Sequence, residues 1–219
     1  MRELVDNVHE IRLEYVRAFV LEGIPSGSVT LVDTGFERTA QQLVSILKDC
    51  YDSIDRLILT HDGGDHYGGL DRVMDAFDPT LYAAADETTL LDTIDHQPDV
   101  TFEDGDVLDG GIEVIQIPGH TPAPSALFLR EVQTLISGDT LDGADRRGLP
   151  AGYLLPPPET FNHDHAAAER NVADFLEYDF DTVLVFHGSH IMKDAKAKLE
   201  QYVEFKDHYR KSLQEGTNE

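Results

Sequence analysis

Apolar and polar positions near the N-terminus follow the pattern expected of strands. Short runs rich in β-branched and aromatic residues predict strands over residues 9–13, 15–22 and 29–33. The connections between these runs are too short for a crossover, so we expect the first pairs of strands to be antiparallel. Apolar residues at helical spacing follow, and they predict a helix over residues 38–49.

Strands and helices alternate along the rest of the chain. A buried strand is predicted over residues 56–60 and a short helix over residues 70–77. Further strands are predicted at residues 81–84, 112–117, 126–129, 134–137 and 182–186, and further helices at residues 164–178 and 192–209. This alternation predicts an α/β fold.

Residues 142–162 interrupt the pattern. The segment contains three successive prolines at positions 156–158 and no clear periodicity. Because loops of this length are usually functional or disordered, we expect a long loop over one face of the fold.

The length and the absence of long apolar runs limit the class of protein. A chain of 219 residues can bury its core as one domain over residues 1–219. Its apolar runs are shorter than the ~18 residues of a membrane span, and its acidic N-terminus differs from a secretory signal. We therefore expect a cytoplasmic protein that has no membrane partner.

Charge narrows the possible partners further. Asp and Glu number 42 against 17 Lys and Arg, which gives a formal charge of −25. Such a surface repels phosphate backbones, so we expect no nucleic-acid partner. We interpret the acidic excess as an adaptation to the salt-rich cytoplasm of a halophile, with a generic acidic cytosolic protein as the alternative. The oligomeric state stays open, and a homodimer is one option.

Residues suited to metal binding follow four of the predicted strands. The single cysteine, Cys50, is expected to be a buried small residue at a helix end, and it cannot build a thiolate site alone. Imidazole and carboxylate ligands without thiolate suit Zn²⁺, Fe²⁺ or Mn²⁺. In layered α/β folds the carboxyl ends of strands are where ligands bind. The candidate ligands are His61, Asp65, His66, His120, Asp139 and His187.

Five segments together resemble the metallo-β-lactamase superfamily, and most closely its glyoxalase II-like group. They occur in the expected order and at the expected spacing over nearly the whole chain. The resemblance implies a four-layered αβ/βα sandwich. The segments are residues 32–35, 60–69, 118–121, 137–140 and 186–188.

The resemblance also implies roles for the candidate ligands. His61 and His120 would belong to a first metal site, and Asp139 would bridge to the second. The second site would add Asp65, His66 and His187. Asp33 would support the metal loops without binding the metal itself.

One position departs from the family pattern. A second histidine or an aspartate usually stands two residues after the first histidine, where this chain has Gly63. Asp62 is adjacent but out of phase with His61, so it would point away on an extended segment. We expect one firmly bound zinc ion, with two ions as the alternative count and manganese or iron as alternative metals.

The resemblance implies hydrolysis of a small-molecule ester, thioester or lactone. A metal can lower the pKa of its water to about 7 and polarise an acyl carbon at the same time. Asp65 would be the catalytic residue, because it could accept a hydrogen bond from that water and orient it.

Two alternatives use the same scaffold differently. One is an iron-dependent oxidoreductase of the persulfide dioxygenase type, and Gly63 counts against it because that activity relies on the missing histidine. The other is a non-catalytic protein with an incomplete first metal site, which Gly63 favours.

Five further residues are candidates for contacts with substrate. Arg146 and Arg147 form a basic pair that could bind an anionic group, or could merely balance nearby aspartates. His163 and His165 lie near the end of the long loop, where they could touch substrate or stay exposed. His190 could complete the first metal site or cap the helix that follows it.

Overall fold

The computed structural model describes residues 1–24 and 26–216, with residues 209–216 described by their backbone only. In this part of the chain, two large sheets face each other and helices cover their outer faces. No helix among these residues has both the length and the apolar character needed to cross a bilayer.

The first sheet contains the N-terminal strands in chain order. Neighbouring strands are antiparallel up to the fourth and parallel from there to the seventh, so the antiparallel start predicted from the short connections is confirmed. The strands are β1 (Arg2–Val5), β2 (Val8–Leu13), β3 (Val16–Glu22), β4 (Val29–Val32), β5 (Arg56–Ile58), β6 (Thr80–Ala84) and β7 (Val100–Phe102).

The second sheet is built from later strands, and a separate ladder of two short strands lies beside it. The later strands are β8 (Val107–Leu108), β9 (Ile112–Gln116), β10 (Ser125–Leu129), β11 (Thr134–Ile136), β12 (Asp142–Gly143), β13 (Leu154–Leu155) and β14 (Thr182–Leu184). The sheet order is β14-β11-β10-β9-β8, and β12 pairs with β13 in the separate ladder. Only the β11–β14 pair of the second sheet is parallel among the described strands.

Helices connect and cover the sheets. The α-helices are α1 (Ala40–Cys50), α2 (Gly64–Tyr67), α3 (Leu70–Phe77), α4 (Thr88–Thr93), α5 (His165–Asn171) and α6 (Ala195–Gly216). The 3-10 helices are Glu37–Thr39, Arg130–Val132, Gly138–Thr140, Ala144–Arg147, Glu159–Phe161 and Val172–Glu177.

Strand periodicity explains how four layers form. On the second sheet, Val114 and Leu127 face the first sheet and join its core, to which α1 and α3 also contribute. Their neighbours Ile115 and Ala126 point the other way and pack with residues of α6 and of the 3-10 helix after α5. The α/β sandwich predicted from the sequence is confirmed.

Several element boundaries differ from the prediction. The helix predicted over residues 164–178 divides into α5 and a 3-10 helix, and Asp164 caps α5 by accepting a hydrogen bond from the Ala167 N–H (2.9 Å). The helix predicted over residues 192–209 begins at Ala195 and runs to Gly216. Residues 142–162 are mostly irregular, as expected, but they contain the β12–β13 ladder. Cys50 is exposed, contrary to expectation, because it ends α1 outside that helix's apolar face.

Candidate metal centre

All six predicted ligands meet where strands of both sheets end. His61 follows β5, and His66 lies on α2 just beyond it. Asp139 follows β11 of the other sheet and stands between the histidines, with carboxylate oxygens 3.3 Å from His66 Nε2 and 3.5 Å from His187 Nε2. His120 Nε2 is 3.9 Å from Asp139 Oδ2. The cluster therefore draws on both sheets and is centred on Asp139.

Among the described residues, two groups have ligand atoms close enough to hold a metal ion, within 4.8 Å of one another. One group, Asp65, His66 and His187, matches the second site implied by the sequence. The other combines His61 and Asp139 with His66, where the sequence implied His120. Each group thus offers three ligand atoms, and only the group at the first site differs in composition from the set that the resemblance implied.

The Nδ1 atoms of three histidines face groups that only accept hydrogen bonds. His66 Nδ1 is 2.7 Å from the Asp33 carboxylate, and His187 Nδ1 is 2.8 Å from the backbone carbonyl of Tyr15. His120 Nδ1 is 3.2 Å from the side-chain carbonyl of Asn162. Each Nδ1 must therefore carry a proton, and in the neutral imidazole this leaves the lone pair on Nε2. Nε2 is the nitrogen that faces Asp139, so these rings are oriented as metal ligands.

Asp33 holds the segment that carries His61 and His66 in place without being a candidate ligand itself. Its buried carboxylate accepts hydrogen bonds from the Thr60 N–H (2.8 Å) and the Thr60 hydroxyl (2.7 Å) as well as from His66. Because the Thr60 hydroxyl donates to Asp33, it accepts from His61 Nδ1 at 2.9 Å. Burial raises the pKa of Asp33, and the bonds from His66 and Thr60 offset part of that effect. One carboxylate thus sets the orientation of two candidate ligands, as the sequence implied for Asp33.

Several inward-facing atoms of the cluster lack partners. Within the described residues, the buried atoms without a hydrogen bond include His61 Nε2, His66 Nε2, His187 Nε2 and Asp139 Oδ1. An unsatisfied buried polar group costs roughly 1–3 kcal/mol, so four at one point need a common explanation. Metal ions held by the two groups would satisfy all four atoms, and nitrogen and oxygen donors without thiolate fit Zn²⁺, Mn²⁺ or Fe²⁺. The residues present fit the metal that the ligand pattern implies.

Burial and neighbouring side chains shift the pKa values of several residues in the cluster. Burial opposes ionisation of Asp65, but the neighbouring His187 and His66 together outweigh it and lower the pKa of Asp65 to about 2. Burial likewise opposes ionisation of Asp139, yet His66 and His187 hold its pKa well below the ordinary value. Burial and the nearby His66 lower the pKa of His61. Both carboxylates are therefore ionised at neutral pH, as metal ligands must be.

Gly63 lies directly against the cluster. A Cβ atom at this position would be 2.6 Å from His61 Nε2 and 3.0 Å from His66 Cδ2. A side chain here would therefore collide with the His61 ring unless that ring shifted, and glycine supplies no ligand atom. Asp62 lines the adjoining cavity but is in neither metal-binding group.

A cavity of about 500 Å³ opens beside the ligands. Its wall includes the candidate ligands Asp65, His120 and Asp139 together with Arg146, Phe161 and His163. The Arg146 guanidinium is 2.6 Å from the Asp142 carboxylate and 3.9 Å from Asp139 Oδ2, and it lies over the Phe161 ring. A positive group is thus held beside the ligands in an acidic protein.

The other candidate substrate contacts fall elsewhere. Arg147 donates to the carbonyl of Pro156, and His165 Nδ1 meets the side-chain amide of Asn162 at 2.8 Å, so neither lines the cavity. His190 does not complete the first site, because its Nδ1 accepts the Val185 N–H and its Nε2 is bound to Glu10 (3.1 Å each). The pair Arg146–Arg147 is therefore split between the cavity and the loop.

Sequence reasoning missed several residues that hold the ligands. Thr60 directly precedes His61, so its position was a usable signal. Asn162 and Glu87 offered no such signal, because each contacts residues that are distant in the sequence. Glu87 is buried and accepts hydrogen bonds from the Thr121 hydroxyl and the Ala123 N–H (2.7 Å), which fixes the loop that carries His120.

The sequence of this chain is similar to those of several known proteins. A sequence model of the metallo-beta-lactamase superfamily matches residues 11–187. An uncharacterized protein of Aquifex aeolicus is 28% identical over 64% of this chain and 73% of its own length. A hydroxyacylglutathione hydrolase of Rhodobacter capsulatus is 30% identical over 63% of this chain, which spans 59% of that enzyme.

Solved structures share the fold. A metallo-beta-lactamase family protein from Thermus thermophilus superimposes with a TM-score of 0.69 at 18% identity, over 96% of this chain and 83% of that one. Identity this low shows a common architecture and does not carry activity from one protein to the other.

Proposed function

The chain belongs to the metallo-beta-lactamase superfamily, and on that premise we propose that it is a metal-dependent hydrolase of a small ester, thioester or lactone. One observation carries the proposal. Three buried Nε2 atoms and one carboxylate oxygen point at each other without partners, and the opposite nitrogens of those histidines are fixed by hydrogen bonds. Such a cluster is costly unless a cation occupies it.

We assign one firmly bound zinc ion to Asp65, His66, Asp139 and His187. His61 and His120 would hold a second ion weakly, because Gly63 removes the ligand that would complete that site. When bound, zinc supplies an activated water at neutral pH and a Lewis acid for the acyl oxygen.

The protein's own residues would direct the reaction. Asp65 stays ionised down to a pKa of about 2, so at neutral pH it can accept a hydrogen bond from the attacking water and orient it. Asp33 keeps His66 in the tautomer that presents Nε2. Arg146 and His163 also line the cavity and are suited to bind a negatively charged or carbonyl group of the substrate.

Thioesters are the first substrate class to test, because the similar protein from Rhodobacter capsulatus is a hydroxyacylglutathione hydrolase. A non-catalytic role is the second candidate, and Gly63 is the observation that favours it. An iron-dependent oxidoreductase of the persulfide dioxygenase type is distinguished from both by iron in the purified protein.

The proposal is tested by activity on a panel of small thioesters, esters and lactones. Zinc-loaded wild type should hydrolyse members of at least one class, lose that activity on chelation and regain it when zinc is restored. Asp65→Asn should lower kcat by about 100-fold or more, the range of a general-base contribution. Zinc-loaded protein that is inactive on all three classes would favour the non-catalytic alternative.

A further inference from the structure

The loop that carries His187 is bound to the opposite sheet by an arginine that is mostly buried. Arg17 lies on β3, and its side chain is 13% exposed. Its Nη1 donates to the carbonyl of Phe186 at 2.9 Å, and its Nη2 donates to the carbonyl of Gly188 at 2.6 Å. These two carbonyls belong to the residues immediately before and after His187.

Two further buried groups complete this connection. The Glu10 carboxylate, on β2, accepts from Arg17 Nε at 3.2 Å and binds His190 Nε2 at 3.1 Å. His190 Nδ1 in turn accepts the N–H of Val185 at 3.1 Å. The backbone on both sides of His187 is therefore tied to β2 and β3 of the first sheet.

This connection matters because the ligands come from two sheets. His187 follows β14 of the second sheet, whereas Asp65 and His66 follow β5 of the first. Their convergence depends on how the ends of the sheets are held relative to each other. The planar guanidinium can bind two carbonyls at fixed separation, which an ammonium group cannot do.

We infer that Arg17 is a positioning residue for His187, with Glu10 holding the guanidinium in place. The inference rests on the proposed function, since it assumes that His187 binds the metal. It also gives His190 a role, as part of this connection and not as a ligand.

Arg56 is a matched control for Arg17. It distinguishes a role in positioning His187 from a general contribution to stability. Arg56 is also buried on a strand and also donates to two backbone carbonyls, those of Asp109 (2.8 Å) and Ile24. However, it begins β5, at the opposite end of that strand from His61. Its carbonyl partners flank no candidate ligand.

The experiment measures the zinc dissociation constant by chelator competition and the melting temperature of the metal-free protein. It uses wild type, Arg17→Met and Arg56→Met. We expect Arg17→Met to bind zinc about 10–100-fold more weakly, the usual cost of removing support from a ligand. Arg56→Met should lower the melting temperature of the metal-free protein and leave the dissociation constant unchanged.

A second variant keeps the test valid if Arg17→Met does not fold. Arg17→Lys retains the charge beside Glu10 but can reach one carbonyl only, so it should also weaken zinc binding relative to Arg56→Met. Unchanged zinc affinity in the Arg17 variants, or an equal loss in Arg56→Met, would overturn the positioning role while leaving the proposed function intact. A wild-type protein that binds no zinc would overturn both.

Discussion

Replacing Asp33 by asparagine tests whether a residue outside the ligand set controls the ligands. The carboxylate accepts three hydrogen bonds, two from Thr60 and one from His66. Asparagine has nearly the same shape but one acceptor oxygen and one donor nitrogen. Its oxygen can still accept the Thr60 N–H, which turns the NH₂ group toward the Thr60 hydroxyl and His66.

The consequence is a change of tautomer in two histidines. Facing a donor, His66 must accept at Nδ1 and carry its proton on Nε2, where the metal should bind. The Thr60 hydroxyl would accept from the introduced amide and donate to His61 Nδ1, which reverses His61 in the same way. Loss of a supporting hydrogen bond costs about 10–100-fold in metal affinity. Because two candidate ligands are affected here, we expect the upper end of this range, equivalent to about 3 kcal/mol.

Chelator competition on Asp33→Asn and wild type measures this loss directly. Asp99→Asn is the control, because that carboxylate also accepts a backbone N–H, from Leu81 at 2.8 Å, but Asp99 directly precedes β7 and touches no candidate ligand. The control should bind zinc like wild type. Wild-type affinity in Asp33→Asn would refute the reasoning from tautomers.

Three further predictions concern other parts of the molecule. A Cβ at position 63 would stand 2.6 Å from His61 Nε2, so the His61 ring must shift to admit a side chain there. If that ring shifts, Gly63→Asp should raise the zinc content of the saturated protein from about one to about two per chain, and an unchanged count by elemental analysis would contradict this. Burial and then Arg17 lower the pKa of His190 to about 4, below its unfolded value near 6.5. The unfolded chain therefore binds the extra proton first, so stability should fall by about 3 kcal/mol as pH drops from about 6.5 to about 4, and denaturant titrations of His190→Gln should lack that component. The formal charge of −25 predicts a melting temperature that rises with potassium chloride through screening, and a flat profile would count against self-repulsion.

Strong periodicity explains why most of the fold could be predicted. The apolar runs of β3 and β9 and the helical spacing of α1 and α3 extend over enough positions to define a period. Strands β8, β12 and β13 have two residues each, too few to show alternation, and they form because neighbouring segments offer hydrogen bonds. Pairing of this kind depends on tertiary structure and leaves no local pattern.

The candidate site also contains residues that could be predicted from the sequence and residues that could not. The ligands could be located because each stands beside glycines at the end of an apolar run, as His61 and His120 do. The groups that orient them could not, since Asn162 meets His120 and Arg17 meets Phe186 and Gly188 only after folding. A sequence pattern therefore indicated the chemistry, and the structure supplied the supports that make it specific.

We propose that these histidines and aspartates hold one metal ion firmly. This proposal is tested most directly by elemental analysis of protein purified without chelator, as wild type and as a His66→Ala, His187→Ala double variant. We expect about one zinc per wild-type chain and almost none in the folded double variant. A metal-free wild type, or a double variant that keeps its zinc, would contradict it.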